Sequence, residues 1–240
     1  GYILFKAGDV NQATVCFKKA IELDPDYGMP RGNLGALLQS QGRLDEAVDN
    51  YKQALELDPG LAEIHFNYAN ILRTQEKLDE AIQHYRNTIA IQPSHAEGHC
   101  NLGVALQQKG MLEEAIQSYR KALDTNPDYA EAHYSLGVAM ARQGDMDGAR
   151  EHLERSVELT PENPFARLDL ALVLHAKGQY DLSIKHYDEA LRIRPDHPKT
   201  RMGLADALFR AGRFLRAVEE CRTILRTQGE NAAILNLLAW

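Results

Sequence analysis

The chain has 240 residues, a net charge of −7 at pH 7, 44% hydrophobic residues and three cysteines. The acidic balance disfavours general binding to nucleic acid, and there is no apolar run of about 18 residues to span a membrane. Cys16, Cys100 and Cys221 are far apart and odd in number, so they point to neither a disulfide framework nor a CxxC metal pair.

Along the chain, six prolines recur every 34 residues: Pro25, Pro59, Pro93, Pro127, Pro161 and Pro195. A fixed period in this range marks a helical repeat array. Starting each unit three residues after its proline gives full repeats at 28–61, 62–95, 96–129, 130–163 and 164–197. Residues 1–27 supply a partial repeat, 198–231 a degenerate one, and 232–240 the start of another, all within a single array over 1–240.

The first stretch of each repeat carries Leu34, Tyr68, Leu102, Leu136, Leu170 and Leu204, each followed by Gly or Ala. The second carries Ala47, Ala81, Ala115, Ala149, Ser183 and Ala217, with Tyr51, Tyr85, Tyr119, Leu153, Tyr187 and Cys221 four residues later. Spacings of three and four predict two amphipathic helices per repeat. Gly8, Gly42, Gly110, Gly144, Gly178 and Gly212 fall between them and predict tight turns. Each proline predicts the end of a second helix. Ser94 with Glu97, and Asp128 with Glu131, have capping-box spacing. Ala115 is expected to lie against Gly103, surrounded by Leu102, Leu106 and Tyr119.

Two recurrent polar features invite a chemical reading. His65, His99 and His133 share one slot. A metal site needs ligands about 2 Å from one ion, and equivalent residues in neighbouring repeats are too far apart for that, so packing is the expectation and no metal is assigned. The acidic pairs Asp45–Glu46, Asp79–Glu80 and Glu113–Glu114 recur where the second helix starts, where acids favour the helix dipole. No P-loop, GxSxG or HExxH is present, and the expectation is a chain with no catalytic residues and no cofactor.

The pattern of a bulky residue, Leu, Gly/Ala, Ala, an aromatic and Pro across 34 residues resembles the tetratricopeptide-repeat (TPR) family over the whole chain. The resemblance implies an all-α fold, a right-handed superhelical solenoid of antiparallel helix pairs whose first helices line a concave groove. It implies a non-catalytic interaction scaffold that binds a protein or an extended peptide in that groove. By the family's groove positions, the peptide-facing residues are Asn33, Asn67, Asn70, Arg73, Asn101, Gln107, Gln108, Tyr134 and Arg142, with Phe66 beside them. Asn33, Asn67 and Asn101 share one slot, resembling the asparagine ladder in the TPR region of O-linked N-acetylglucosamine transferases. Ser135, Asp169 and Gly203 then interrupt the row. An amide row can grip a peptide backbone, or it can be a tolerated polar helix face.

Further along, Phe165, Leu168, Leu172, Met202 and Phe209 make the groove apolar. They read either as a pocket for a hydrophobic anchor or as closer packing between repeats. TPR cochaperones hold a terminal carboxylate with cations where this chain has Phe66, Glu131 and Ser135, so a peptide ending Glu-Glu-Val-Asp is not an expected ligand. From Arg192 onward the chain is locally basic, which reads as a solvated surface or a dock for an acidic partner. The apolar end at Leu235, Leu237, Leu238 and Trp240 suggests self-association through the C-terminal end. Two further readings stand beside the scaffold: a substrate-recruiting region of a larger enzyme such as a glycosyltransferase, and a self-assembly module. The residues leave the compartment open, with the cytoplasm favoured.

Overall fold

The computed structural model describes residues 1–228, which contain fourteen helices and no strand. The first three pairs are α1 (Tyr2–Lys6) with α2 (Val10–Leu23), α3 (Gly28–Ser40) with α4 (Leu44–Leu57), and α5 (Ala62–Thr74) with α6 (Leu78–Ile91). Then come α7 (Ala96–Gln108) with α8 (Leu112–Thr125), and α9 (Ala130–Gln143) with α10 (Met146–Leu159). The last are α11 (Pro164–Ala176) with α12 (Tyr180–Ile193), and α13 (Pro198–Arg210) with α14 (Phe214–Gln228). From α3 onward, the first helix of each pair starts 34 residues after the last, at Gly28, Ala62, Ala96, Ala130, Pro164 and Pro198. The helix pairs follow one another as in a solenoid, in two compact units, Gly1–Pro127 and Asp128–Trp240. Within each, a helix packs on its immediate neighbours, and successive first helices such as α3 and α5, or α11 and α13, also touch.

The core comes from the large column of the second helices seated on small residues of the first. Tyr51, Tyr85, Tyr119, Leu153 and Tyr187 are almost wholly buried. A Cβ on Gly103 would lie 2.6 Å from Tyr119 Cε1, one on Gly35 2.7 Å from Tyr51 Cδ1, and one on Gly137 2.7 Å from Leu153 Cγ. The residue that fills the space over Gly103 is therefore Tyr119. Ala115 is fully buried, and the Tyr119 ring is what demands a glycine at 103.

The turns between paired helices use left-handed backbone. Gly42 has φ 76° and Gly110 φ 82°, and the same position in the repeat 62–95 is held by Glu76 at φ 60°. The cap expectations shift by one residue. His95, not Ser94, caps α7, its Nδ1 accepting from the Gly98 N–H at 2.9 Å. Tyr129 is the N-cap of α9 and makes no side-chain cap, while Asp128 pairs with Arg155 instead.

Ion pairs at the surface tie several helix pairs to the next: Lys109 to Asp79, Lys177 to Asp147, Arg192 to Glu162 and Arg213 to Asp181. Solvent screening and the side-chain entropy lost in holding them make such exposed pairs weak contributors to stability. Arg192, Arg201, Arg213 and Arg216 are all neutralised inside the chain, so most of the basic excess read near the C-terminal end does not form an open cationic dock. The apolar end at Leu235, Leu237, Leu238 and Trp240, and the self-association assigned to it, lie outside the described residues.

Candidate functional site

In the first unit, α1, α3 and α5 border a cleft of about 750 Å3. Its walls are Tyr2 and Lys6 from α1, Met29, Asn33 and Ala36 from α3, the Gly60–Leu61 link, and Ala62, Glu63, Ile64 and Asn67 from α5. Met29, Asn33 and Ala36 are spaced four and three apart, as are Glu63 and Asn67 by four, so each set shares one helix face. Asn33 and Asn67 are half-buried in this wall. No hydrogen bond among the described residues engages either amide.

The next residues of the row are occupied. Asn70 Oδ1 accepts from the Tyr85 hydroxyl at 2.6 Å and from Asn101 Nδ2 at 3.0 Å. This leaves Asn70 with amide donors and Asn101 with a carbonyl acceptor. Burial pushes the Tyr85 phenol up, and the Arg73 guanidinium draws it partly back. Arg73 Nε is itself buried without a hydrogen-bond partner. The same device recurs where the Tyr51 hydroxyl donates to Gln39 Oε1 at 2.7 Å and the Tyr119 hydroxyl to Gln107 Oε1 at 3.3 Å. Gln108 is exposed. Phe66 is a correction: it is 8% exposed, its ring centroid 4.7 Å from that of His95 and 6.0 Å from that of Tyr85, and it belongs to the core.

In the second unit the corresponding face is built from carboxylates and apolar residues. The Tyr134 hydroxyl donates to Asp169 Oδ2 at 2.8 Å. Burial pushes the Asp169 carboxyl up, opposed by Tyr134 and Arg142. His175 Nε2 lies 3.0 Å from Asp206 Oδ2, and Arg210 Nε 3.7 Å from the other oxygen. Arg142 is exposed. The apolar row divides. Phe165 is 49% exposed and Leu172 48%. Leu168 and Phe209 pack on the cluster around Ala171, Leu204 and Leu208, and Met202 packs on Ala205, Cys221 and Ile224.

The histidine column has partners that the spacing did not disclose. His65 Nδ1 meets His84 Nδ1 at 2.7 Å, and His133 Nδ1 meets His152 Nδ1 at 3.0 Å. The far nitrogen of the slot residue reaches a fixed carbonyl: His65 Nε2 to Pro59 O at 3.1 Å, His99 Nε2 to Pro93 O at 3.0 Å, Arg167 Nε to Pro161 O at 2.7 Å. The slot thus favours a long side chain with a distal N–H. The signal was present in the recurrence of His and Arg there, and in His84 and His152 one helix later. Among the described residues, no group of three or more His, Cys, Asp or Glu is arranged to hold a metal ion, and no helix is long and apolar enough to cross a membrane.

Comparison with known proteins follows the same lines. The TPR-repeat family model matches residues 1–42, 35–72, 69–110 and 107–144, and tetratricopeptide-repeat models match 130–163 and 174–240. A comparison with curated proteins returned no match. Among solved structures, the chain is similar to YrrB, a TPR protein with an unusual peptide-binding site, at 25% identity and TM-score 0.68 over 77% of this chain and 95% of that one. It is similar to MamA at 25% identity and TM-score 0.64, over 69% of this chain and 90% of that one. It shares the fold of Pseudomonas aeruginosa PilF at 20% identity and TM-score 0.75, over 90% of this chain and 98% of that one. With its repeats matched over residues 1–163 and 174–240 and its helices paired in the family's period, the chain belongs to the tetratricopeptide-repeat family.

Proposed function

We propose that the chain is a protein-interaction scaffold that takes an extended peptide segment in the cleft between α1, α3 and α5. The observation that carries this reading is the pair of half-buried, unengaged amides, Asn33 and Asn67, in a cleft of about 750 Å3. Each amide offers donors and an acceptor to a peptide backbone, while Met29, Leu61 and Ile64 supply apolar wall for a side chain. The TPR family and the peptide-binding site of YrrB support the class of ligand. In the second unit, Phe165 and Leu172 offer exposed apolar surface to the same kind of partner.

A screen of a displayed library of short linear peptides tests this, with the chain and its Asn33→Ala/Asn67→Ala variant as paired baits. Peptides enriched by the chain are expected to lose binding to the variant. Equal enrichment by both would remove the cleft from the reading.

A second reading is that the array recruits substrates for a larger enzyme such as a glycosyltransferase. The amide row Asn33, Asn67 and Asn101 favours it. Assay of the full-length gene product for glycosyl transfer, with and without Asn33→Ala/Asn67→Ala/Asn101→Ala, tests it: no transfer activity, or activity and substrate range unaltered by the substitutions, would remove this reading.

A further inference from the structure

We propose that Arg73, with the Asn70 and Asn101 amides, holds the side-chain carboxylate of an Asp or Glu in the peptide bound at the cleft. This rests on the cleft being a peptide site, and it names a residue that the peptide carries.

A break in the repeat is the first support. Gln39, Arg73 and Gln107 stand 34 residues apart in one slot of α3, α5 and α7. In the repeats on either side, the glutamine oxygen accepts the hydroxyl of that repeat's buried tyrosine, Tyr51 at 2.7 Å and Tyr119 at 3.3 Å. A guanidinium has no acceptor, so the Tyr85 hydroxyl donates to Asn70 Oδ1 instead. A glutamine at 73 would serve the tyrosine as it does in both neighbours. Positions where a chain gives up a local device that it uses elsewhere are the expected places for function.

Charge is the second support. The Arg73 guanidinium is half-buried beside the Tyr85 phenol, and its Nε has no hydrogen-bond partner. Among the described residues no carboxylate pairs with it. Arg43, Arg86, Arg155 and Arg192, by contrast, each close on an aspartate or glutamate. A cation drawn partly out of water without a partner favours any anion that can reach it.

Third, the neighbouring amides present donors. Asn70 Oδ1 is used by both Tyr85 and Asn101 Nδ2. The Asn70 N–H groups, the second Asn101 N–H and the guanidinium donors are left, against one Asn101 carbonyl oxygen. An excess of donors around one full positive charge suits a carboxylate, whose two oxygens only accept.

Reach is adequate. Asn67 and Asn70, and Asn70 and Arg73, are three residues apart on α5, so each pair shares a helix face. Arg73 lies about 9 Å further along the helix axis than Asn67, within the combined span of an arginine and a glutamate side chain. A backbone gripped at Asn33 and Asn67 can therefore send an acidic side chain to Arg73.

The test is a displayed library of random linear peptides, joined to their carrier through their C-termini. The baits are the whole chain, Arg73→Gln, Lys6→Gln and Asn33→Ala/Asn67→Ala. Arg73→Gln copies the residue that both neighbouring repeats carry in the slot. The unaltered chain should enrich peptides with Asp or Glu at one fixed position, and Arg73→Gln should enrich peptides without that requirement. Lys6→Gln, at the other cation of the cleft, should keep it. The strongest acidic peptide, synthesised with an amidated C-terminus, should bind Arg73→Gln at least about tenfold more weakly. The same peptide with Gln or Asn in place of its acidic residue should lose as much on the unaltered chain, a comparison that no folding defect can mimic. The two losses should not add when combined. Peptides with no fixed acidic position, an acidic position that Arg73→Gln keeps or Lys6→Gln loses, or binding abolished by amidation would overturn the proposal and leave the cleft reading intact. No enrichment by the unaltered chain, or equal enrichment by Asn33→Ala/Asn67→Ala, would overturn the cleft reading and this proposal with it.

Discussion

Tyr85 and Asn70 are joined by a 2.6 Å hydrogen bond that also sets which way the Asn70 amide faces. Asn101 donates to the same oxygen, so one carbonyl holds a second-helix phenol and the next repeat's asparagine together. Tyr85→Phe removes the phenol donor and keeps the buried ring. It should lower stability by about 1 kcal/mol, read as a shift in the urea midpoint at unchanged slope. A midpoint equal to that of the parent would mean that water replaces the hydroxyl without loss.

Glu76 occupies the turn position that glycine holds elsewhere, at φ 60°. Left-handed backbone is unfavourable for an L side chain, while glycine reaches it freely but costs more chain entropy on folding. The balance makes Glu76→Gly stabilising by about 0.5–1 kcal/mol. Thermal and urea unfolding should both move upward. A destabilised variant would show that the Glu76 side chain has a role beyond the turn.

The close seat of Tyr119 on Gly103 makes a different demand. Adding a Cβ at 2.6 Å from a ring that is 1% exposed leaves nowhere for the ring to go. Gly103→Ala should cost roughly 1–3 kcal/mol, and Ala115→Leu in the same layer a similar roughly 1–3 kcal/mol. An unchanged melting curve for Gly103→Ala would disprove this packing.

Acid should loosen the first unit. Burial lowers His84 to about 4 from its ordinary value, helped by His65 and opposed by Glu80, and burial also lowers His65. Folded values below the unfolded one mean that the neutral form stabilises the fold. That contribution is complete above the unfolded value of about 6.5 and is lost as pH falls toward 4. Urea unfolding followed from neutral to acid pH should show the decline, and His84→Ser should flatten it. An equally steep decline in the variant would assign it to other groups.

Much of the fold was legible because period, glycine and proline act locally. A proline bars the α region to the residue before it, and a glycine frees the left-handed turn, whatever the rest of the chain does. The first-helix starts follow that register. What escaped was decided by distances between helices. His65 and His133 were visible as a column, but His84 and His152 lie 19 residues on, across a turn, where no motif spacing links them. Phe66 and Asn70 occupy the face that the family uses for ligands, yet one is buried against Tyr85 and His95 and the other is engaged by Tyr85 and Asn101. Periodicity identifies a face; it does not say how much of that face the protein itself consumes. The cap of α7 moved from Ser94 to His95 for a related reason, because an imidazole nitrogen can serve where serine and aspartate are the usual signals.

The ties between successive helix pairs join positions about one repeat apart, as Lys109 does with Asp79 and Tyr134 with Asp169. Closing such loops costs little entropy, and that cost grows only slowly with loop length. Chains dominated by short-range contacts pass their folding barrier quickly. Each unit can therefore begin to order from whichever neighbouring pair first comes together, and removing one 34-residue period would shorten the search without lengthening any step in it.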